Sequence, residues 1–468
     1  MKYSILAFVL SAMAFISCNR LSDYGSIFKN PVLYSKTVYE LNTVVMGNNF
    51  SPIVASRNYT YANVAAYQVI AGCYPDQFNS LGGQLKGLSF LPRPEKNKPL
   101  DAEFAALLAF CKLGESVTFP AGSMKDYVDS LKKLAVDHGM PSDIYSNSIA
   151  YADTVSSVIL TWSKGDRYLQ TRGASEYTVL DSPGRWVPTP PAYSSAAEPH
   201  WREIRPLVLD SPNMFPVPAP FAFNMTDVKS AYYQQVMESK NVVDSLSPEE
   251  IHIADFWDDN PFKLNVSGHL MFGTKKFSPP GHWMSIVGIA SEKAGADFPT
   301  TVAAFTLTAI SLFDAFIQCW DVKYSFNTVR PETVINKFID PNWRPHLQTP
   351  PFPEYTCGHS TGSAAAAEIL TRFYGDNFSY TDTTELEFGI RSRSFTSFRQ
   401  AARENNLARF YGGIHFHHSC LVSTELGTKV GDLVADRIKM KKKIHTDISN
   451  TNNHLPIRQL SQILTTAK

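Results

Sequence analysis

Apolar positions recur at steps of three and four along most of the chain. In the stretch 302–320, Val302, Phe305, Ala309, Phe313, Phe316 or Ile317, and Trp320 fall on one face of a helix. The same spacing predicts helices at roughly 60–73, 101–113, 121–138, 145–163, 226–240, 283–293, 360–374, 383–404 and 419–438. Alternating patterns bounded by hairpin turns are absent, so the expected architecture is all-α, a helical bundle with a long Pro-rich crossing.

That crossing holds ten of the 30 prolines, between Pro183 and Pro220, a density incompatible with regular helix or a central strand. It divides an N-terminal helical part (40–180) from a second helical bundle (185–440), either as a boundary or as a strap over one body. Trp186, Tyr193, Trp201, Phe215, Phe221 and Phe223 favour a strap packed on protein, because a free linker has no use for such bulk. The tail 446–468 is polar and is expected to be ordered only in part.

Composition narrows the picture further. A 468-residue chain that is 44% hydrophobic has ample material for a core. With 43 basic against 43 acidic residues, no global field favours nucleic acid or an acidic membrane, so an anion site would have to be local. Residues 1–17 read as an export signal: Lys2, then the apolar run Ile5 to Ile16, then Ser17-Cys18. The ending looks like a bacterial lipobox, with Phe15 where Leu is usual. It implies a lipid on Cys18 and a periplasmic or outer-membrane lipoprotein, the alternative being simple secretion. No later stretch has the ~18 uninterrupted apolar residues of a membrane span. Cys73, Cys111, Cys319, Cys357 and Cys420 are scattered, without the spacing of a disulfide framework or a zinc site.

Candidate chemistry lies in three segments. Lys323 and Arg330 are seven residues apart, which returns both cations to one face if the stretch is helical, and Pro331 follows as a turn. In Cys357-Gly358-His359-Ser360, glycine permits close backbone approach, the helix start offers free N–H groups, and the imidazole can move a proton near neutrality. In Arg409 to His415, Gly412-Gly413 predicts a tight loop that brings guanidinium and imidazole together before a helix starting near Ser419. Each segment alone is weak; jointly they describe a cage for a tetrahedral or trigonal-bipyramidal oxyanion.

The order K-x6-R-P, then G-H opening a helix, then R-x5-H resembles the signature shared by vanadium-dependent haloperoxidases and type 2 phosphatidic acid phosphatases. The likeness extends through Asp314-Ala315-Phe316, Trp320, Pro279-Pro280-Gly281-His282-Trp283 and Phe256-Trp257-Asp258-Asp259, over roughly 185–435. It implies vanadate as cofactor, held by Lys323, Arg330, Cys357, Gly358 and Arg409, with His415 bonded to vanadium. His359 and Lys323 join His415 as catalytic residues. Trp320 and Phe352 match the aromatic positions on the halide side, and Asp259 is expected to orient an arginine. Hydrogen peroxide, a halide and small organic acceptors are the implied partners.

Such a cage serves two chemistries. A phosphatase would attack phosphorus with His415 to give a phospho-histidine; a haloperoxidase would oxidise halide to a hypohalous species. The phosphatase pattern carries an Asp four residues after its histidine, where this chain has Ser419, and that absence favours haloperoxidase. Cys357 stands where both groups usually have Ser. A thiol is a poorer donor and is itself oxidisable, so weaker polarisation of bound peroxide is expected to favour iodide. An inactive oxyanion-binding lipoprotein is the third reading. His282, His346, His417 and His418 are expected to be surface or packing residues.

Overall fold

The computed structural model describes residues 22–441 except 262, 268–269 and 274; the export signal, Cys18 and the tail 446–468 lie outside the described residues. The helices are α1 Tyr24–Phe28, α2 Pro31–Gly47, α3 Pro52–Cys73, α4 Ala102–Val117, α5 Lys125–Asp137, α6 Ser142–Lys164, α7 Tyr168–Arg172, α8 Ala231–Asp244 and α9 Pro248–Phe256. After them come α10 Pro279–Lys293, α11 Phe298–Phe326, α12 Pro331–Phe338, α13 Gly358–Tyr374, α14 Phe398–Tyr411 and α15 His417–Arg437. The mostly helical architecture is the one expected. Two small antiparallel hairpins interrupt it, β1 Leu264–Ser267 with β2 Leu270–Gly273, and β3 Tyr380–Asp382 with β4 Arg393–Phe395. Strand β4 and a 3-10 turn at Thr384–Phe388 occupy ground read above as helix 383–404; only its end, in α14, is helical. Strands of three or four residues are too short to show an alternation, which is why the pattern missed them.

Helix α11 is the axis of the molecule. It is long and apolar enough to span a membrane, yet its most apolar 18-residue stretch is wholly buried inside the protein. Asp297 caps its start by accepting the Thr300 N–H, and Pro299 sits in its first turn. Its end is set by Asn327, whose left-handed backbone (φ 51°) donates N–H to the Lys323 carbonyl. Around α11 pack α3, α10, α13 and α15, and one apolar core runs from Phe28 to Met440.

The Pro-rich crossing lies against this core. Trp186 and Trp201 are fully buried. The Leu207, Val208 and Leu209 N–H groups all donate to the Asp314 carboxylate on α11, at 2.7, 2.7 and 2.8 Å. Further along, the Ala197 N–H donates to the Pro351 carbonyl, and the indole of Trp320 donates to the Ala197 carbonyl.

Candidate active site

Lys323 and Arg330 reach one place by a route other than a shared helical face. The helix stops at Phe326, Asn327 turns the chain, and Arg330 is the residue just before α12, with Pro331 opening that helix rather than ending the previous one. Pro in the first helical turn costs no hydrogen bond and presets the backbone. Both cations are completely buried. Lys323 Nζ donates to the carbonyls of Pro353 (2.8 Å) and Glu354 (3.1 Å). Arg330 donates from Nε to Phe352 O and from Nη1 to Ile414 O, and Nη1 also lies 3.0 Å from His415 Nε2. Burial lowers Lys323 to about 8 and Arg330 to about 10, in each case against neighbouring acidic and thiol groups.

The second segment enters at the start of α13, where Cys357 is the capping position and Gly358 the first helical residue. A Cβ on Gly358 would sit 3.3 Å from Trp320 Cζ3 and 3.5 Å from Phe316 Cε1, so the glycine lets the helix start press against α11. The Cys357 N–H donates to Ser423 Oγ at 2.7 Å, joining α13 to α15. His359 is held far below its usual pKa, first by burial and then by Arg409, with His415 and Lys323 adding to the effect; it is neutral at neutral pH.

In the third segment Arg409 lies in the last turn of α14, and Gly412 and Gly413 make the link to α15, which begins at His417 rather than near Ser419. Gly413 has a left-handed backbone (φ 70°). Arg409 Nη1 donates to the Trp257 carbonyl at 2.8 Å.

Trp320 and Phe352 form one wall of this chamber, their rings 5.0 Å apart, with Lys323 Nζ 4.9 Å and the Arg330 guanidinium carbon 5.0 Å from the Phe352 ring. The structure therefore brings together Trp320, Lys323, Arg330, Phe352, Cys357, Gly358, His359, Arg409 and His415.

Two sequence expectations need correction. Asp259 does not pair with an arginine among the described residues: its Oδ1 lies 2.9 Å from Nδ1 of His282, whose Nε2 is 2.9 Å from Asp382, in a buried cluster whose His282 ring stacks on Trp257. More consequential, His415 does have an orienting carboxylate. Glu354, buried, sits with Oε1 2.9 Å from His415 Nδ1 and also accepts the Phe416 N–H at 3.2 Å. The absence of Asp at position 419 is made good from another segment, and so does not separate the two chemistries. The available signal was a lone acid in Pro353-Glu354-Tyr355, between prolines and an otherwise uncharged stretch. Of the other histidines, His346 pairs with Asp255, His417 stacks on Phe410 and His418 stacks on Phe221.

Whether an oxyanion fits is decided by donors that have no partner. Arg330 Nη2 and Arg409 Nε are buried and unsatisfied, and so is His359 Nε2, a ring nitrogen that can donate or accept. Unpaired cationic donors inside a protein are costly, and the cost is removed by a multiply charged, acceptor-rich ion such as vanadate or phosphate. The residues present fit that group.

The family described as the VCPO second helical-bundle domain matches residues 303–443, which contain all three segments. Among solved structures, that of the first bacterial vanadium-dependent iodoperoxidase shares 42% sequence identity at a TM-score of 0.84, covering 88% of this chain and 98% of that one. A bacterial vanadium-dependent chloroperoxidase, in holo and apo forms, shares the fold at 17% identity and TM-score 0.61, over 83% of this chain and 92% and 94% of those chains. No curated protein matches by sequence. The chain belongs to the vanadium-dependent haloperoxidase family.

Proposed function

We propose that this protein binds vanadate in the three-segment cage and oxidises iodide with hydrogen peroxide, releasing a hypohalous species that halogenates small organic acceptors. The observation that carries the reading is the ring of buried, unpartnered cationic and imidazole donors around His415. Iodide as the favoured halide is supported by Cys357, a weak donor at the anion, and by the 42% identity to a protein described as an iodoperoxidase.

Bound vanadate supplies Lewis acidity toward peroxide without a change in its own oxidation state. The protein supplies the rest. Glu354 accepts the Nδ1 proton of His415, which fixes the tautomer and turns the Nε2 lone pair toward the cage. Arg330, Arg409 and Lys323 neutralise the anion's oxygens, while neutral His359 accepts the peroxide proton at Nε2. Lys323 would lend its positive charge to peroxide held in the cage, and the Trp320–Phe352 wall beside it would border the halide.

A second reading, phosphomonoester hydrolysis through a phospho-histidine, is favoured by the same Glu354–His415 pair, because a carboxylate behind the ring also raises its nucleophilicity. Purified protein reconstituted with orthovanadate should oxidise iodide faster than bromide or chloride, and His415→Ala should abolish it. Release of phosphate from a small monoester by vanadate-free protein, with no vanadate-dependent iodide oxidation, would establish the second reading instead. Export as a lipoprotein remains part of the proposal, and acyl labelling lost in Cys18→Ser tests it.

A further inference from the structure

A second group of ionisable side chains meets in the interior, and none of them belongs to the cage. Asp259 lies in the loop after α9, His282 in the first turn of α10, Asp382 at the end of β3 and Glu385 in the 3-10 turn that follows. All four are at most 1% exposed. His282 Nδ1 is 2.9 Å from Asp259 Oδ1 and 3.9 Å from Glu385 Oε1, and its Nε2 is 2.9 Å from Asp382 Oδ2. Asp382 is itself fixed, because its Oδ1 accepts the Thr384 N–H at 3.0 Å.

Three buried carboxyl groups around one imidazole are costly unless their charge is answered. Lys276 Nζ stands 3.3 Å from Glu385 Oε2, longer than a charge-assisted hydrogen bond, and donates to the Asp255 carbonyl. Among the described residues, Asp259 Oδ2 and both Glu385 oxygens accept no hydrogen bond. Protons supply part of the answer. Burial opposes charge on the ring, but Asp259 and Asp382 hold His282 well above its usual range; Glu385 is pushed up to about 7, first by burial and then by Asp259. A divalent cation answers the same charge and gives the idle carboxyl oxygens a partner.

One ligand atom each from Asp259, His282 and Glu385 lies within 4.8 Å of the others. Donors about 2.0–2.2 Å from a tetrahedral ion stand roughly 3.3–3.6 Å apart, so the 2.9 and 3.9 Å separations at Nδ1 need shifts of only about half an ångström. Asp382 on the far nitrogen completes the arrangement in which a carboxylate orients a metal-bound ring. One imidazole with two carboxylates suits zinc better than calcium or magnesium, which take all-oxygen sites.

We propose that Asp259, His282 and Glu385 form a structural zinc site, with Asp382 as the orienting acid, which pins the loop after α9 to α10 and to the 3-10 turn. The ion takes Nδ1 of a neutral His282 and one oxygen from each of the two carboxylates, an idle carboxyl oxygen fills the fourth position, and the protons on Nδ1 and Glu385 are released. The pinned loop reaches the cage, since the His282 ring stacks on Trp257 and the Trp257 carbonyl accepts Arg409 Nη1.

The site shares no residue with the vanadate reading, and its test needs no turnover. Full-length, vanadate-free protein is treated with a chelator, and zinc chloride is titrated in calorimetrically beside magnesium and calcium chloride. One equivalent of zinc is expected to bind and to raise the melting temperature, with a weaker response to the other two ions. Glu385→Gln and Asp259→Asn keep the side-chain volume and should each weaken zinc binding about tenfold or more, as should Asp382→Ala through the ring. Crystals of the zinc-loaded protein, measured at the zinc absorption edge, should show an anomalous peak among Asp259, His282 and Glu385. Folded wild type that binds no zinc, a stronger response to magnesium or calcium, zinc bound equally well by both conservative variants, or a peak only elsewhere each overturns the site. In the first of these cases the cluster is held by protons and Lys276 alone.

Discussion

The cage is governed by what buried charge costs. Lys323 and Arg330 are held in the interior by backbone carbonyls, and both have pKa values below their ordinary ranges because burial penalises the charged form. Lys323 has the smaller margin. It is charged below about 8 and loses its proton as pH rises through that value, so phosphate or vanadate affinity should fall over the same interval. A binding titration between neutral and alkaline pH checks this, and Lys323→Arg should move the fall to higher pH. Glu354 acts through His415. Replacing a group that orients a metal-bound imidazole typically costs about 10–100-fold in affinity or activity, and Glu354→Ala should do so here. Glu354→Gln, which keeps the volume and an acceptor for the Nδ1 proton, should lose less; equal losses in both variants would show that the negative charge, rather than the hydrogen bond, is what matters, and no loss in either would show that Glu354 does not act on His415.

At the scale of elements, two helix contacts carry the site. Asp314 on α11 accepts three consecutive strap N–H groups, and the strap in turn receives the Trp320 indole proton through Ala197. Asp314→Ala leaves those donors buried without partners, at about 1–3 kcal/mol for each group left unsatisfied. Denaturant unfolding should show a loss of that order or larger. The second contact is the glycine seam between α13 and α15. Gly427→Ala places a methyl group against the Thr361 carbonyl, and overpacking of this kind costs about 1–3 kcal/mol or more. Because Ser423, which accepts the Cys357 N–H, lies on the same helix, the variant should also weaken phosphate binding, whereas a loss of stability alone would mean that α15 yields without disturbing the cage.

The whole molecule is one packed body over the described residues. Apolar side chains of α2 to α6 share a core with those of α10, α11, α13 and α15. Residues 185–440 expressed alone would expose the face of α11 that packs against α3. That piece is expected to be insoluble or to lack a cooperative unfolding transition, and a monomer with a sharp transition and full phosphate affinity would refute this.

How much of this was open to reading without coordinates follows from the range of the forces involved. Helical periodicity is local, so most of the long helices and the apolar face of α11 were legible, though α2 (Pro31–Gly47) was not among them; so were the residue types and order of Lys323, Arg330, His359, Arg409 and His415, which carry the anion chemistry. Three-residue strands and the turn at Asn327 left too short a pattern to read, and a shared helical face was inferred for Lys323 and Arg330 where a chain reversal does the work. Partnership between distant side chains is not local at all. Ser419 suggested that His415 lacked a carboxylate, and only packing put Glu354 behind the ring; Asp259 suggested an arginine's partner, and packing gave it His282 instead. The amino-acid sequence by itself determined the helices and the chemical character of the cage. Tertiary structure alone decided which acid serves which base, because those pairings are set by packing between residues far apart along the chain.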